Sequence, residues 1–335
     1  MIILKSFLYL CRSKHHSMIS RRYLRTKVMQ AIFAHEMNPQ EDVVAGAQQL
    51  TTTIDNCYNL FLYFFYIFPE IKSYCVKKME ERKKKNFPTE EDLNPNTKFV
   101  DNVVIEQIEN NRTLNILWKE RKIFWKDHNE LIAALYRQMA QTQEFEDYMN
   151  KTESSYKEDK TFLLYVVENV FAPNELLHWF FEEQNVNWFD DFNEAMLMFY
   201  KNLENFKETA GASNRIMPLY GKSDDDDDRK FAHDLFMKTA IHDTEYTRMI
   251  EERLQNWELE RVAQMDIILL KMAICELMEF PNIPIKVTIN EYIELARWYS
   301  SEKSGGFING MLDRIIEDLK SEGKLNKSGK GLLTN

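Results

Sequence analysis

Apolar residues recur at helical spacing along almost the whole chain. In residues 20–37, Leu24, Val28, Ala31, Ile32 and His35 share one stripe and predict an amphipathic first helix. Residues 41–85 keep that period as one long or broken helix. It is crowded with rings around "NLFLYFFYIF" and closes on "KKMEERKKK", where lysines suit the negative end of the helix dipole and read as a solvated helix end. The same rhythm predicts helices over about 98–117, 119–149, 159–170, 174–184 and 189–209, then a long amphipathic one from Asp228 to Trp257. "MDIILLKMAICELMEF" is apolar on nearly every side, as expected of a helix buried in the middle of a bundle, and Pro281 and Pro284 separate it from the next. Phe307, Met311, Ile315 and Leu319, with Ile308, Leu312 and Ile316, give the last helix one continuous apolar face. No segment alternates with the period of a strand, so the fold class is all-α.

Two stretches interrupt the pattern. "FPTEEDLNPN" reads as a linker, with Thr89 and Asp92 at capping-box spacing. "GASNRIMPLYGKSDDDDDRK" is the strongest break, its five aspartates (224–228) reading as a solvated lead into a helix N-terminus rather than a metal site. The expected organisation is an N-terminal extension at 1–18, a helical subdomain at 19–225, a second bundle at 226–321 and a flexible basic tail at 322–335.

Composition removes several function classes. Nine glycines and eight prolines are few for 335 residues, and none of the glycines falls between Gly46 and Gly211. The remaining glycines match neither a P-loop nor a dinucleotide fingerprint. A di-iron bundle needs two Glu-x-x-His pairs, and only Glu175 with His178 qualifies. There is no HExxH and no GxSxG. Cys11, Cys57, Cys75 and Cys275 are scattered without a CxxC and read as reduced thiols, and a lone His35 on an apolar stripe reads as a core residue. The sequence offers no catalytic residue, cofactor cradle or metal ligand set, so the chain is not expected to be an enzyme. "MIILKSFLYLC" is only about half the roughly 20 apolar residues of a membrane span. The expectation is a soluble, cytoplasmic chain, with Met18 a more natural start than Met1.

Charge then redirects attention. The net charge is −10, but the first 35 residues hold seven Lys or Arg and no acid. Arg21, Arg22 and Arg25 gather on the first turns of the first helix, on what its spacing makes an exposed shoulder, with Tyr23 among them. Arginine suits planar contact with phosphate, and arginine plus an aromatic ring is how unstacked RNA bases are usually held. An ordinary basic helix end is the plainer alternative.

The C-terminal third narrows the choice. Asp266, Glu276-Leu277, Ile283-Pro284, Lys286-Val287, "INE" at 289–291, "IELA" at 293–296, Ser304, Phe307, Asn309-Gly310 and Leu312-Asp313 occur in order over about 55 positions. This run closely resembles the C-terminal half of the NusB family of transcription antitermination factors, and "RRYLRTKVMQAIF" resembles that family's first helix. The resemblance covers about 20–37 and 229–320, leaving roughly 45–225 as an insertion. It departs at Lys271 and at Gly305-Gly306, where bulkier, often basic residues are usual. It implies two packed three-helix bundles, expanded here by inserted helices. It also implies binding of a single-stranded boxA element of ribosomal RNA leaders together with NusE, a small-subunit ribosomal protein, within an antitermination complex on RNA polymerase. The RNA contacts it implies are Arg21, Arg22 and Arg25, with Lys27, Gln30 and Lys303 as further candidates. Within the motif, Thr288 and Glu291 have capping-box spacing, Ser304 is a candidate N-cap, and Asn309-Gly310 would let the last helix pack closely. Ile289, Ile293 and Ala296 would face the core, and Glu276 and Glu279 are candidates for a partner surface. Two other readings stay open: a helical protein–protein scaffold of the same fold without RNA binding, and the RNA cytosine methyltransferases that also carry NusB-like domains. The second would need a catalytic domain downstream.

Overall fold

Ser20 opens the first helix, α1 (Arg21–Met37), by accepting a hydrogen bond from Tyr23 N at 3.1 Å. In this computed structural model residues 19–38, 42–125, 128–220, 228–254 and 259–332 are described. Every regular element among them is helical, so the fold is all-α. The chain divides into two compact units. One contains residues 55–219; the other joins 19–54 to 220–332. The contacts thus change over at 54 and 219, where the sequence pattern pointed to about 45 and 225. The expectations for residues 1–18, for Asp224 to Asp227 and for Trp257 lie outside the described residues.

The unit of 55–219 is anchored by the part of α2 (Val43–Lys83) that follows Ile54, in which Phe61, Phe64, Phe65, Ile67, Phe68 and Ile71 are fully buried. Pro69 sits inside it and removes one backbone donor, yet the helix continues because its neighbours are held by packing on either side. The rings of Phe64 and Phe181 lie 5.4 Å apart, those of Phe64 and Phe192 5.2 Å, and those of Phe65 and Phe199 4.6 Å. Around α2 run the short helices α3 (Glu90–Leu93), α4 (Val103–Glu109), α5 (Arg112–Glu120), α6 (Asn129–Ala140) and α7 (Gln143–Asn150). They are followed by α8 (Tyr156–Val166), a π-helical turn at Val167–Phe171, α9 (Glu175–Gln184) and α10 (Trp188–Glu204). Buried Asn102, Asn111 and Asn174 each cap a helix by accepting from its first backbone N–H groups. The Thr89–Asp92 capping box is present at the start of α3.

The helix expected over 119–149 is broken twice. Lys122 takes a left-handed conformation (φ 54) after α5, and Thr142 caps α7 by accepting from Phe145 N. Similarly, the helix expected from 228 to 257 is two, α11 (Asp228–Ile241) and α12 (Asp243–Glu251). His242 leaves helical geometry, and Asp243 and Glu245 favour a fresh N-terminus.

In the second unit α13 (Gln264–Glu279) is buried at eleven positions and packs against α1, α11, α12, α14 (Ile285–Tyr299) and α15 (Ser304–Ser321). The apolar face of α15 is buried as its spacing predicts, from Ile308 to Leu319. The core side of α14 is one residue out of phase with the expectation: Thr288, Tyr292 and Leu295 face inward with Ala296, while Ile289 and Ile293 are half-buried. Asn309 and Gly310 are exposed, and nothing lies within 4 Å of the Cβ an alanine would place at Gly310, so this pair does not mediate close packing. Part of the tail is seated: Lys327 Nζ donates to the Phe280 carbonyl at 3.1 Å and Ser328 N to the Pro281 carbonyl at 3.0 Å.

Candidate RNA interface

The arginines of α1 stand at the centre of a charge network that the motif residues of α13 and α14 complete. Arg25 is 2% exposed and makes a bidentate pair with the fully buried Glu276, both contacts at 2.8 Å. The same carboxylate accepts from the Thr288 hydroxyl at 2.8 Å and from the Tyr292 hydroxyl at 3.3 Å. Four donors therefore saturate its two oxygens, the condition under which a buried charge is tolerated. Burial opposes the charge on Arg25, but the attraction and hydrogen bonds of Glu276 outweigh it and hold the guanidinium more firmly protonated than usual. Burial and the Glu276 charge together push the Tyr292 phenol well above its ordinary value, so it acts as a neutral donor.

One turn earlier, Arg22 pairs bidentately with Glu291 of α14 at 3.0 and 2.8 Å through Nε and Nη2. Burial works against the Glu291 charge, yet Arg22 and Arg25 outweigh it and keep the carboxyl below its ordinary range. Arg21 pairs with Asp228, the first residue of α11, at 3.1 Å. The Phe231 ring lies 5.0 Å from the Arg21 guanidinium and 5.2 Å from that of Arg25.

These positions correct several expectations. Arg25 is not on an exposed shoulder; it is inside, as a structural cation. Lys27 is 1% exposed, 3.1 Å from Gln30 Oε1, and Tyr23 is 7% exposed, too buried for a base to stack on. Thr288 and Glu291 do not form a capping box, because α14 begins at Ile285 and their side chains instead reach Glu276 and Arg22. Nor does Ser304 cap α15. It lies in the first turn and donates to Asp266 at 2.8 Å, tying the start of α15 to the start of α13. Glu276 is buried and Glu279 pairs with Lys238 at 2.7 Å. Lys271 bridges Glu36 at 3.0 Å and Asp243 at 2.6 Å.

What the surface does offer is narrower. Arg22 is 37% exposed and its Nη1 has no hydrogen bond among the described residues. Two turns along α14 from Glu291, Trp298 is 62% exposed. Between them Glu294 accepts from Arg297, whose Cγ would lie 3.7 Å from a Cβ added at Gly305 in the first turn of α15. Lys303 is exposed in the turn just before, with no ion pair among the described residues. Arg22, Trp298, Arg297 and Lys303 thus follow one edge of α14 into the α14–α15 turn. Sequence reasoning missed Trp298. Its only signal was a large ring on the polar side of α14, in register with Glu291 and Glu294.

No group of three or more metal-ligating side chains occurs among the described residues. The thiols of Cys75 and Cys275 are pushed up to about 12 by burial, which leaves both inert at neutral pH. No helix of the described residues is long and apolar enough to cross a membrane.

The model of the NusB family matches residues 194–317. A transcription antitermination protein NusB from Salinibacter ruber (strain DSM 13855 / M31) is 44% identical over 110 residues, covering 33% of this chain and 69% of the relative. One from Chloroherpeton thalassium (strain ATCC 35110 / GB-78) is 46% identical over 84 residues, 25% of this chain and 40% of the relative. A third, from Koribacter versatilis (strain Ellin345), is 42% identical over 96 residues, 29% of this chain and 66% of the relative. No solved structure matches. With a relative 44% identical along more than two thirds of its own length, the chain belongs to the NusB family, and the matched 110 of its 335 residues leave room for a large inserted segment.

Proposed function

We propose that this chain is a transcription antitermination factor that binds a boxA-type single-stranded RNA of ribosomal RNA leaders together with NusE, at RNA polymerase. The reading rests on the family and on one structural observation. Arg22 and the α14 edge carry exposed cations beside an exposed indole, the pairing that holds an unstacked base against a phosphate. Arg21, Arg22, Gln30 and Lys303 are the proposed RNA contacts, with Trp298 as the stacking surface. Arg25 and Lys27 act from inside as positioning residues: Arg25 fixes α1 on α13, so that Arg21 and Arg22 emerge where they do. The chain works as a binder and carries out no chemistry.

A second reading has its own support. Arg21, Arg22 and Arg25 all have carboxylate partners, as a helical scaffold without RNA binding would have. Fluorescence anisotropy of a labelled boxA-like RNA, with and without NusE from the same organism, separates the two. The antitermination reading expects binding that strengthens with NusE and weakens in Trp298→Ala; the scaffold reading expects NusE to bind and the RNA not to.

A further inference from the structure

The inserted unit carries an exposed basic edge that the family reading does not use. Helix α5 is fixed from below by Leu114 and Trp118, whose indole N–H donates to the Leu62 carbonyl at 3.1 Å. That leaves Arg112, Ile116 and Lys119 on one outward stripe, each one turn from the next. The helix then closes with Lys122 N donating to Lys119 O at 3.3 Å and Ile123 N to Trp118 O at 2.9 Å. This closure wants glycine at its left-handed position, and the chain has Lys122 there instead, at φ 54. Backbone strain of this kind persists where the surroundings enforce it, and it often marks a working surface. Beyond it, Ile123 is 4% and Trp125 8% exposed, while Phe124 between them is 55% exposed. Two buried neighbours therefore hold that ring outward. Arg112, Lys119 and Lys122 make no ion pair among the described residues, although the chain as a whole is acidic.

We propose that this edge of α5, Arg112, Ile116, Lys119, Lys122 and Phe124, is a second surface for single-stranded RNA. It takes phosphates on the cations and an unstacked base on Phe124. The proposal rests on the RNA-binding reading and extends it to the inserted unit. Unneutralised cations around a single presented ring fit a polyanion with stacking bases better than a protein partner, which would need a larger apolar area.

The test uses the full chain and a labelled mixed-sequence single-stranded RNA of about 30 nucleotides, titrated at several salt concentrations. Lys119→Ala/Lys122→Gly should make the salt slope shallower by about 1.4, two phosphates at about 0.7 each. The glycine at 122 also removes the strained backbone, so folding is not at risk. Phe124→Ala should weaken binding by about 5- to 150-fold with the slope unchanged. As a charge control, Lys77→Ala/Lys84→Ala removes two other exposed lysines of the same unit and should leave the slope in place. Wild-type binding that Phe124→Ala and Lys119→Ala/Lys122→Gly leave untouched overturns the α5 surface while sparing the α1–α14 one. A slope loss equal in the control also overturns it, because the effect would then be charge alone. No binding of this RNA by the wild-type chain overturns the α5 surface, while failure to bind a boxA-like RNA with NusE overturns the parent reading.

Discussion

The two units hold themselves together by different physics. Residues 55–219 are organised by rings: Phe64 alone packs against Phe181, Phe192 and Phe199, and helix ends are closed by buried asparagines. The unit of 19–54 and 220–332 is organised by charge, with Arg25 on Glu276, Lys271 between Glu36 and Asp243, and Ser304 on Asp266. Rings pack in many ways at similar energy, whereas a buried carboxylate with four donors has one good arrangement. The charged unit therefore demands particular residues at particular positions, and the aromatic unit demands mainly volume.

The largest effect should come from breaking the charge network at its centre. Glu276→Ala would leave Arg25 buried without a partner and strip Thr288 and Tyr292 of theirs, and should destabilise the chain by about 3–5 kcal/mol in urea unfolding. The contrast sharpens with Arg25→Met/Glu276→Leu, which removes both charges. It should recover a large part of that loss, whereas a double variant as unstable as Glu276→Ala would mean that the unpaired buried charge is not what the single substitution costs. In the aromatic unit, Phe64→Leu should cost only about 1–2 kcal/mol, because neighbouring rings can repack around a residue of similar class. A loss as large as that of Glu276→Ala would erase the distinction between the units.

Smaller effects follow at the surface. The pKa of Glu291 is lowered in the folded chain, so its pair with Arg22 stabilises fully above the ordinary glutamate value, about 4.3, and is lost as pH falls below it. Arg22→Ala should cost no more than about 1 kcal/mol at pH 7 and flatten the stability profile below about pH 4. Lys122→Gly should stabilise the chain by about 0.5–1 kcal/mol by relieving the left-handed lysine, read as a rise in melting temperature.

Much of the fold could be read from the sequence, because burial at helical spacing is a local signal: α1, α13 and α15 fall where the apolar stripes place them. Breaks were harder. Nothing in "KERKI" announces a left-handed lysine, and His242 interrupts a stripe that continues on both sides. The candidate site was legible as a set of residue types but not as roles. Arg22 and Arg25 lie one turn apart on one helix, yet one is a third exposed and the other is sealed. Which is which depends on Glu276, about 250 residues away, and no local pattern carries that information. Thr288 and Glu291 had the spacing of a cap and served instead as long-range partners of Glu276 and Arg22.

The most direct measurement is the salt dependence of RNA affinity for wild type and Arg22→Ala/Lys303→Ala on a boxA-like single strand. If these exposed cations contact phosphate, the double variant binds more weakly with a slope shallower by about 1.4 while its melting temperature stays near wild type. An unchanged slope with wild-type affinity would contradict the account and leave the α1–α14 edge as structure alone.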